Sequence, residues 1–219
     1  MDNGDNRIVL FGAGGHAKSV IAVLHAQGKW RVAALLEDAA DEPAKAVLGH
    51  AVLGDRSRLA ELRQAGVDKG FVAIGDNRAR CELARVLLET GFSLISVIHP
   101  AAARLLDASI GAGSFVHALA VIGPECRIGR NAIVQPFTSV GHESRIGDGV
   151  HLSPGVHVGG QVRIGDHCFF GPGAVLFPGI AIGRNVVVGA NSVVNKDVDD
   201  NAVVAGAPAR FIRRNDPAQ

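Results

Sequence analysis

Two groups of residues in this chain have types and spacings that could do chemistry. The first is a pair of glycine turns near the start. Gly12-Ala13-Gly14-Gly15-His16-Ala17 follows an apolar run and matches G-x-G-x-x-A loosely through Gly12, Gly14 and Ala17. A turn of this kind lets backbone N–H groups approach a phosphate at a helix N-terminus. Glu37-Asp38 lies roughly 20 residues on, where a carboxylate usually reads a ribose hydroxyl. Ile74-Gly75-Asp76-Asn77-Arg78 is a second turn of the same character. The other group is histidine. The chain has nine, and an imidazole can take a proton near neutral pH, better still with a carboxylate to orient it. His117, His142, His151, His157 and His167 all fall in the second half. Cys81, Cys126 and Cys168 are too few and too scattered for a disulfide framework or a zinc knuckle.

The elements that would position the glycine turns alternate in type. Arg7–Phe11 reads as a buried strand, Lys18–Gln27 as a helix and Arg31–Leu36 as a second strand. A short strand at Val52–Leu53, a helix over Ser57–Ala65, a strand over Lys69–Ile74 and a helix over Asn77–Glu89 follow. Alternation of this kind implies a parallel sheet with both turns at its C-terminal edge, where ligands collect. About 90 residues hold only half of a dinucleotide fold, so a single mononucleotide is the expected ligand. The competing reading is a glycine turn that only packs strand on helix.

Beyond residue 100 the period changes. Steps of six from Ile110 meet an apolar side chain every time: Val116, Ile122, Ile128, Val134, Val140, Ile146, Leu152, Val158, Ile164, Phe170, Leu176, Ile182, Val188 and Val194. With 47% hydrophobic residues, chance gives such a run in a stated phase roughly once in 10⁵. Four residues after each comes a small or β-branched residue, among them Ser114, Cys126, Ser144, Val162 and Cys168. A period of six suits neither a helix nor an amphipathic strand. It suits short flat strands joined by turns, three hexapeptides to a triangular coil, with the apolar residue pointing inward. Glycine follows the apolar residue in most units and is expected to supply the turn dihedrals. Residues 110–199 then make five coils, about 24 Å tall at ~4.8 Å per coil. Cys126 and Cys168 occupy the small inward position and read as core rather than nucleophiles. The fold class is therefore a small, half-Rossmann-like α/β domain followed by a left-handed parallel β-helix of hexapeptide repeats. Domains are expected at 1–98, 99–205 and 206–219, the last a tail, with His99-Pro100 as the hinge.

The order of these parts, with FGAGGHAKSV near the start, IGDNRAR at 74–80, HP at 99–100, GHESRIGDGVHLSPG at 141–155 and AGAPAR at 205–210, resembles the sugar acyltransferase family that includes sialic acid O-acetyltransferases and nucleotide-aminosugar N-acetyltransferases. The resemblance implies an acetyl-CoA-dependent N-acetyltransferase acting on the 4-amino group of a nucleotide-linked aminodeoxysugar, with GDP-perosamine the favoured acceptor and O-antigen biosynthesis the setting. It carries the general base onto His142 and its orienting carboxylate onto Glu143. It places acetyl-CoA at His151, Gly160, Gly171, Pro172, Gly189 and Ala190, and the sugar nucleotide at Gly14, Gly15, His16, Glu37, Asp38 and Gly75. Lys196, Arg210, Arg213 and Arg214 are candidates for the CoA phosphates, or equally solvated tail charge. Positions 142 and 151 lie half a circuit apart on a coil of three hexapeptides, so a shared site requires two prisms side by side, in a homotrimer. Three residues or runs depart from the family pattern: Gly141 where an acidic residue is common, Ser144 where Cys is common, and Gln135-Pro136-Phe137.

O-acetylation of a sialic acid or related sugar is the alternative activity, and a non-catalytic sugar-nucleotide-binding protein a remoter one. The metal-dependent hydratases of similar architecture need a close histidine pair and a third about two coils away, a spacing the histidines here do not give, so no metal is expected. A formal net charge of +1 with mixed signs argues against a nucleic-acid partner. The opening MDNGDNRIVLFGAGG has neither the length of a membrane span nor a signal peptide's layout, so a cytoplasmic setting is expected.

Overall fold

The computed structural model of the protein describes residues 6–38 and 46–215. Residues 1–5 and 39–45 of the expected first domain, and 216–219 of the expected tail, lie outside the described residues. Contacts divide the chain into a unit ending at His99 and one beginning at Pro100.

In the first unit four parallel strands lie in the order Arg31–Leu36, Arg7–Phe11, Lys69–Val72, Ser93–Leu94. Strands 7–11 and 31–36 match the sequence reading to the residue, as does the helix Asn77–Glu89. The first helix is longer than expected and starts at Gly15, so Gly15, His16 and Ala17 are its first turn. It buries Ala17, Val20, Ile21, Val23 and Leu24 and stops at Gly28, whose φ of 63° lets its N–H reach the carbonyls of Leu24 and His25. In place of a strand at Val52–Leu53, Ala46–Val47 and His50–Ala51 pair as a hairpin. The chain then runs along strand 31–36 through Leu53 N–H to Leu35 O at 2.9 Å. Chain order reverses beside strand 7–11, between its neighbours 31–36 and 69–72, and open α/β sheets bind ligands at the C-terminal strand ends of such a switch point.

The second unit is a parallel β-solenoid of two-residue strands on three faces. Each strand pairs without slippage with its counterpart one coil on, for example Val116, Val134, Leu152, Phe170 and Val188 in one column. The solenoid is longer than the five coils expected, about six turns, because strand Ala103–Arg104 adds to the bottom and Ala202–Gly206 to the top. Inward apolar residues from Val116 to Val194 are at most 4% exposed. The expected tail is a strand: Ala209–Arg214 folds back antiparallel on Ala202–Gly206.

The structure reassigns the repeat's glycines. Positive φ falls three residues after the inward apolar residue, at every sixth position from Asp107 to Asn191, and most of these residues are not glycine. The glycine directly after the apolar residue has another purpose. A Cβ on Gly141 would lie 2.5 Å from Gly159 C, and one on Gly171 2.5 Å from Ala190 N. These positions stay bare because successive coils touch there, backbone to backbone.

Polar residues at the small inward position are satisfied by the same stacking. Ser114 Oγ donates to Gly129 O at 2.9 Å, Cys126 Sγ to Gly141 O at 2.8 Å, Ser144 Oγ to Gly159 O at 3.0 Å and Cys168 Sγ to Gly183 O at 3.0 Å. Buried donors thus reach the carbonyl of a neighbouring coil, which removes most of their burial cost.

Candidate active site

His142 and Glu143 occupy the turn between strands Ser139–Val140 and Arg145–Ile146. Glu143 takes the left-handed conformation, φ 58°, that every coil requires at this position. Its carboxylate therefore projects from the corner beside the preceding imidazole. His142 Nδ1–H donates to Glu143 Oε2 at 2.9 Å. A carboxylate can only accept, so in the neutral imidazole the proton sits on Nδ1 and the lone pair on Nε2. Glu143 Oε2 also accepts from Gln161 Nε2 at 3.1 Å, from the coil above. The two hydrogen bonds, His142's first and Gln161's second, hold the Glu143 carboxyl below its ordinary value.

Gly160 stands directly above His142, one coil on. A Cβ there would lie 2.4 Å from His142 Nε2 and under 3 Å from Cε1 and Cδ2. The imidazole thus lies across bare backbone. Gly160 was expected at the coenzyme; the structure puts it in contact with the candidate base. Arg145 braces the same corner, its Nη1 donating to Glu125 O at 2.6 Å and Glu143 O at 3.0 Å.

The other residues expected at the coenzyme lie elsewhere on the prism. Gly171-Pro172 and Gly189-Ala190 stack on adjacent coils at the corner between the faces of strands Phe169–Phe170 and Val175–Leu176. His151 is on the face leading to that corner, edge-on to Phe169 with ring centroids 5.2 Å apart. So one protomer groups Gly160 with His142 and Glu143, and the remaining five on a different edge. At the top, Lys196, Arg210 and Arg214 line one pocket with Asp197, Asp199 and Phe211.

In the first unit, Gly14 and Gly15 are exposed at the start of the first helix, and a Cβ on either, or on Gly75, would meet nothing within 4 Å. Gly12 is different: its Cβ would lie 2.7 Å from Ala73 O, and its φ is +116°. It lets the two turns meet. Glu37 Oε2 accepts Ala13 N–H at 2.8 Å, and Asp38 is ion-paired with Arg56. Both carboxylates expected at a ribose are thus tied into the protein's own structure, Glu37 as a clamp on the glycine turn. His16 is partly buried in the helix's first turn.

Sequence reasoning missed Gln161 and Arg80. Arg80 is fully buried, and its guanidinium donates to the carbonyls of Ile74, Gly75 and Asp76 and to Asn77 Oδ1 at 2.8–3.3 Å. Burial lowers its pKa to about 10, still charged at pH 7. It fixes the second glycine turn from beneath, while Asp76 caps the helix through Arg78 and Ala79 N–H. Gln161 could have been found by reading three hexapeptides ahead of Glu143.

Two of the departures from the family pattern, Gly141 and Ser144, have structural reasons, and nothing in the structure explains Gln135-Pro136-Phe137. Gly141 abuts Gly159 and Gly160, so no acidic side chain fits there. Ser144 makes the interior hydrogen bond that Cys126 makes one coil below, so serine replaces cysteine as a core donor. Phe137 is 61% exposed in a left-handed turn residue. Burial pushes the Cys168 thiol up to about 12 and raises that of Cys126, which keeps both protonated. Among the described residues no three His, Cys, Asp or Glu side chains form a metal-binding group.

Residues 7–87 match the PglD N-terminal domain, and 107–142 and 143–178 match the bacterial transferase hexapeptide (six repeats). A histidine-to-asparagine mutant of perosamine N-acetyltransferase from Caulobacter crescentus, solved with CoA and GDP-perosamine, is 40% identical over 94% of this chain and 96% of its own, with a TM-score of 0.90. The chain belongs to the hexapeptide-repeat sugar acyltransferase family. A second member, the acetyltransferase domain of PglB from Neisseria gonorrhoeae FA1090 with acetyl coenzyme A, is 33% identical over 95% of this chain and all of its own, TM-score 0.88. WeeI from Acinetobacter baumannii AYE follows at 25% identity over 94% of this chain and 99% of its own, TM-score 0.82. No described helix is long and apolar enough to cross a membrane.

Proposed function

We propose that this acyltransferase moves an acetyl group from acetyl-CoA to the 4-amino group of a nucleotide-linked aminodeoxysugar, GDP-perosamine being the favoured acceptor. The observation that carries the reading is the His142–Glu143 hydrogen bond of 2.9 Å at an exposed solenoid corner. Similarity to an enzyme solved with CoA and GDP-perosamine supports the choice of substrates.

An amine attacks a thioester only as the neutral base, and its nitrogen must shed a proton as the new amide forms. His142 Nε2 is the acceptor for that proton. Glu143 keeps Nδ1 protonated and stabilises the imidazolium that results. A backbone N–H of a coil turn can stabilise the negative charge that develops on the thioester oxygen. The buried thiols of Cys126 and Cys168 take no part, so transfer is direct, without an acyl-enzyme. In the first unit the open backbone at Gly14, Gly15 and Gly75 supports nucleotide binding, His16 lies beside it, and Glu37 and Asp38 shape the turns.

His142 and Gly160 occupy one edge of the prism, and His151, Gly171, Pro172, Gly189 and Ala190 another. A site that uses both sets draws them from neighbouring copies, and we infer a homotrimer on that ground. Sedimentation equilibrium should give three times the chain mass; a fully active monomer refutes the shared site.

The test of function is CoA release from acetyl-CoA against a panel of nucleotide 4-aminosugars, with sugar hydroxyl acceptors alongside. Amine acceptors should react, and His142→Ala should lose most turnover with CoA affinity largely intact. Near-native rates in that variant would show that another group takes the proton, and turnover confined to the hydroxyl acceptors would show O-acetylation.

A further inference from the structure

From the stacking of the coils we infer that Gln161 is a positioning residue for proton transfer: its side-chain amide holds the Glu143 carboxylate in the orientation that directs His142 Nε2. The inference rests on the reading of His142 as the base, and it adds a residue on a different coil to that machinery.

Glu143 and Gln161 occupy the same place on adjacent coils. Both have positive φ, 58° and 60°, so their side chains leave the corner in parallel. The next residues in the column are Glu125 below and Gly179 above. Gln161 therefore supplies the neutral donor that reaches Glu143 from the coil above, and a carboxylate there would repel it. Gln161 Nε2 donates at 3.1 Å to Glu143 Oε2, the same oxygen that accepts from His142 Nδ1. Without the amide, one bond to a ring that is itself 58% exposed would be left to orient a carboxylate with 45% of its side chain exposed. The other charged groups at this corner are Glu125, one coil below in the same column, Arg145, whose Nη1 is committed to backbone carbonyls, and Arg163, which lines the same shallow groove with Glu143, Arg145, Gln161 and Gly179. The depressed pKa of Glu143 gives a second handle, since Gln161 is its second-largest cause.

Gln161→Gly is the variant of choice, because Gly179 shows that glycine suits this conformation one coil up. The kcat for sugar acetylation should fall about tenfold, the scale of losing one hydrogen bond to a charged group, with both KM values within about twofold. In a Glu143→Gln background the same change should cost less than about twofold, because a residue acting through Glu143 has nothing left to position. Equal losses in both backgrounds would mean an independent structural effect and overturn the inference. A separate measurement does not depend on turnover: the Glu143 carboxyl, followed by carbon-13 NMR, should titrate at higher pH in Gln161→Gly. An unchanged titration also overturns the inference. Failure of the base assignment looks different, as retained turnover in His142→Ala.

Discussion

Replacing Gly160 by alanine tests whether the bare backbone above the candidate base matters for chemistry. The new Cβ would lie 2.4 Å from His142 Nε2. Ordinary contact needs 3.4 Å or more, so the ring must retreat by about 1 Å, the scale of misplacement that can cost on the order of 10²-fold in rate. The ring has somewhere to go, since 58% of the His142 side chain is exposed. Gly160 does not have positive φ, so alanine brings no backbone strain. The fold should therefore hold, with the melting temperature within a few degrees of the parent, while kcat falls about 100-fold, equivalent to about 2.7 kcal/mol of barrier. The assay is CoA release at saturating acetyl-CoA and amino sugar, with CoA affinity measured by calorimetry. If Gly160 instead only lines the coenzyme, affinity should weaken and kcat at saturation should survive. A saturating kcat within threefold of the parent would refute the idea that bare backbone seats the base. Combination with His142→Ala sharpens the test: once the ring is gone, Gly160→Ala should cost nothing further.

Other expectations follow from burial and charge. A thiol reagent should modify Cys81 in the native protein and reach Cys126 and Cys168 only on unfolding, because those two are fully buried with raised pKa values; rapid native reaction of three thiols would contradict this. Arg80→Met should destabilise the first unit by about 3 kcal/mol, since the carbonyls of Ile74, Gly75 and Asp76 lose their buried donor, and hydrogen exchange should show residues 74–77 opening first. Glu143 and Asp200 have depressed folded-state pKa values, so what they add to stability is present above their unfolded values and is lost as pH falls through the folded ones. Denaturant midpoints should drop as pH falls below about 5, and drop less in Asp200→Asn, which has no carboxylate to lose.

The solenoid was legible because its signal is redundant: a period of six repeated through the second half leaves no other fold that buries the same side chains. The α/β unit was legible through strand–turn–helix alternation, and strands 7–11 and 31–36 came out to the residue. Readings that failed share one cause. They treated the chain along its length, whereas in a solenoid the nearest neighbours of a residue are those one coil above and one coil below. Glycine after each apolar residue looked like a turn requirement; its partner is the backbone of the next coil, as at Gly141 and Gly159. Ser144 departs from the family pattern beside Glu143, and its hydroxyl faces inward to Gly159 O. Gly160, expected at the coenzyme, also lies one coil above His142 and against its ring. A spacing of residues also cannot show that Glu37 accepts from Ala13 N–H or that Asp38 pairs with Arg56. In rows one coil long, His142 aligns with Gly160 and Glu143 with Gln161, so the stacking is carried by the sequence. The physical reason is that in-register parallel pairing leaves no freedom in which residues stack. For a solenoid enzyme, then, the residues that orient a corner histidine belong to the neighbouring coils, and substitutions one full coil away should alter its chemistry as strongly as substitutions beside it.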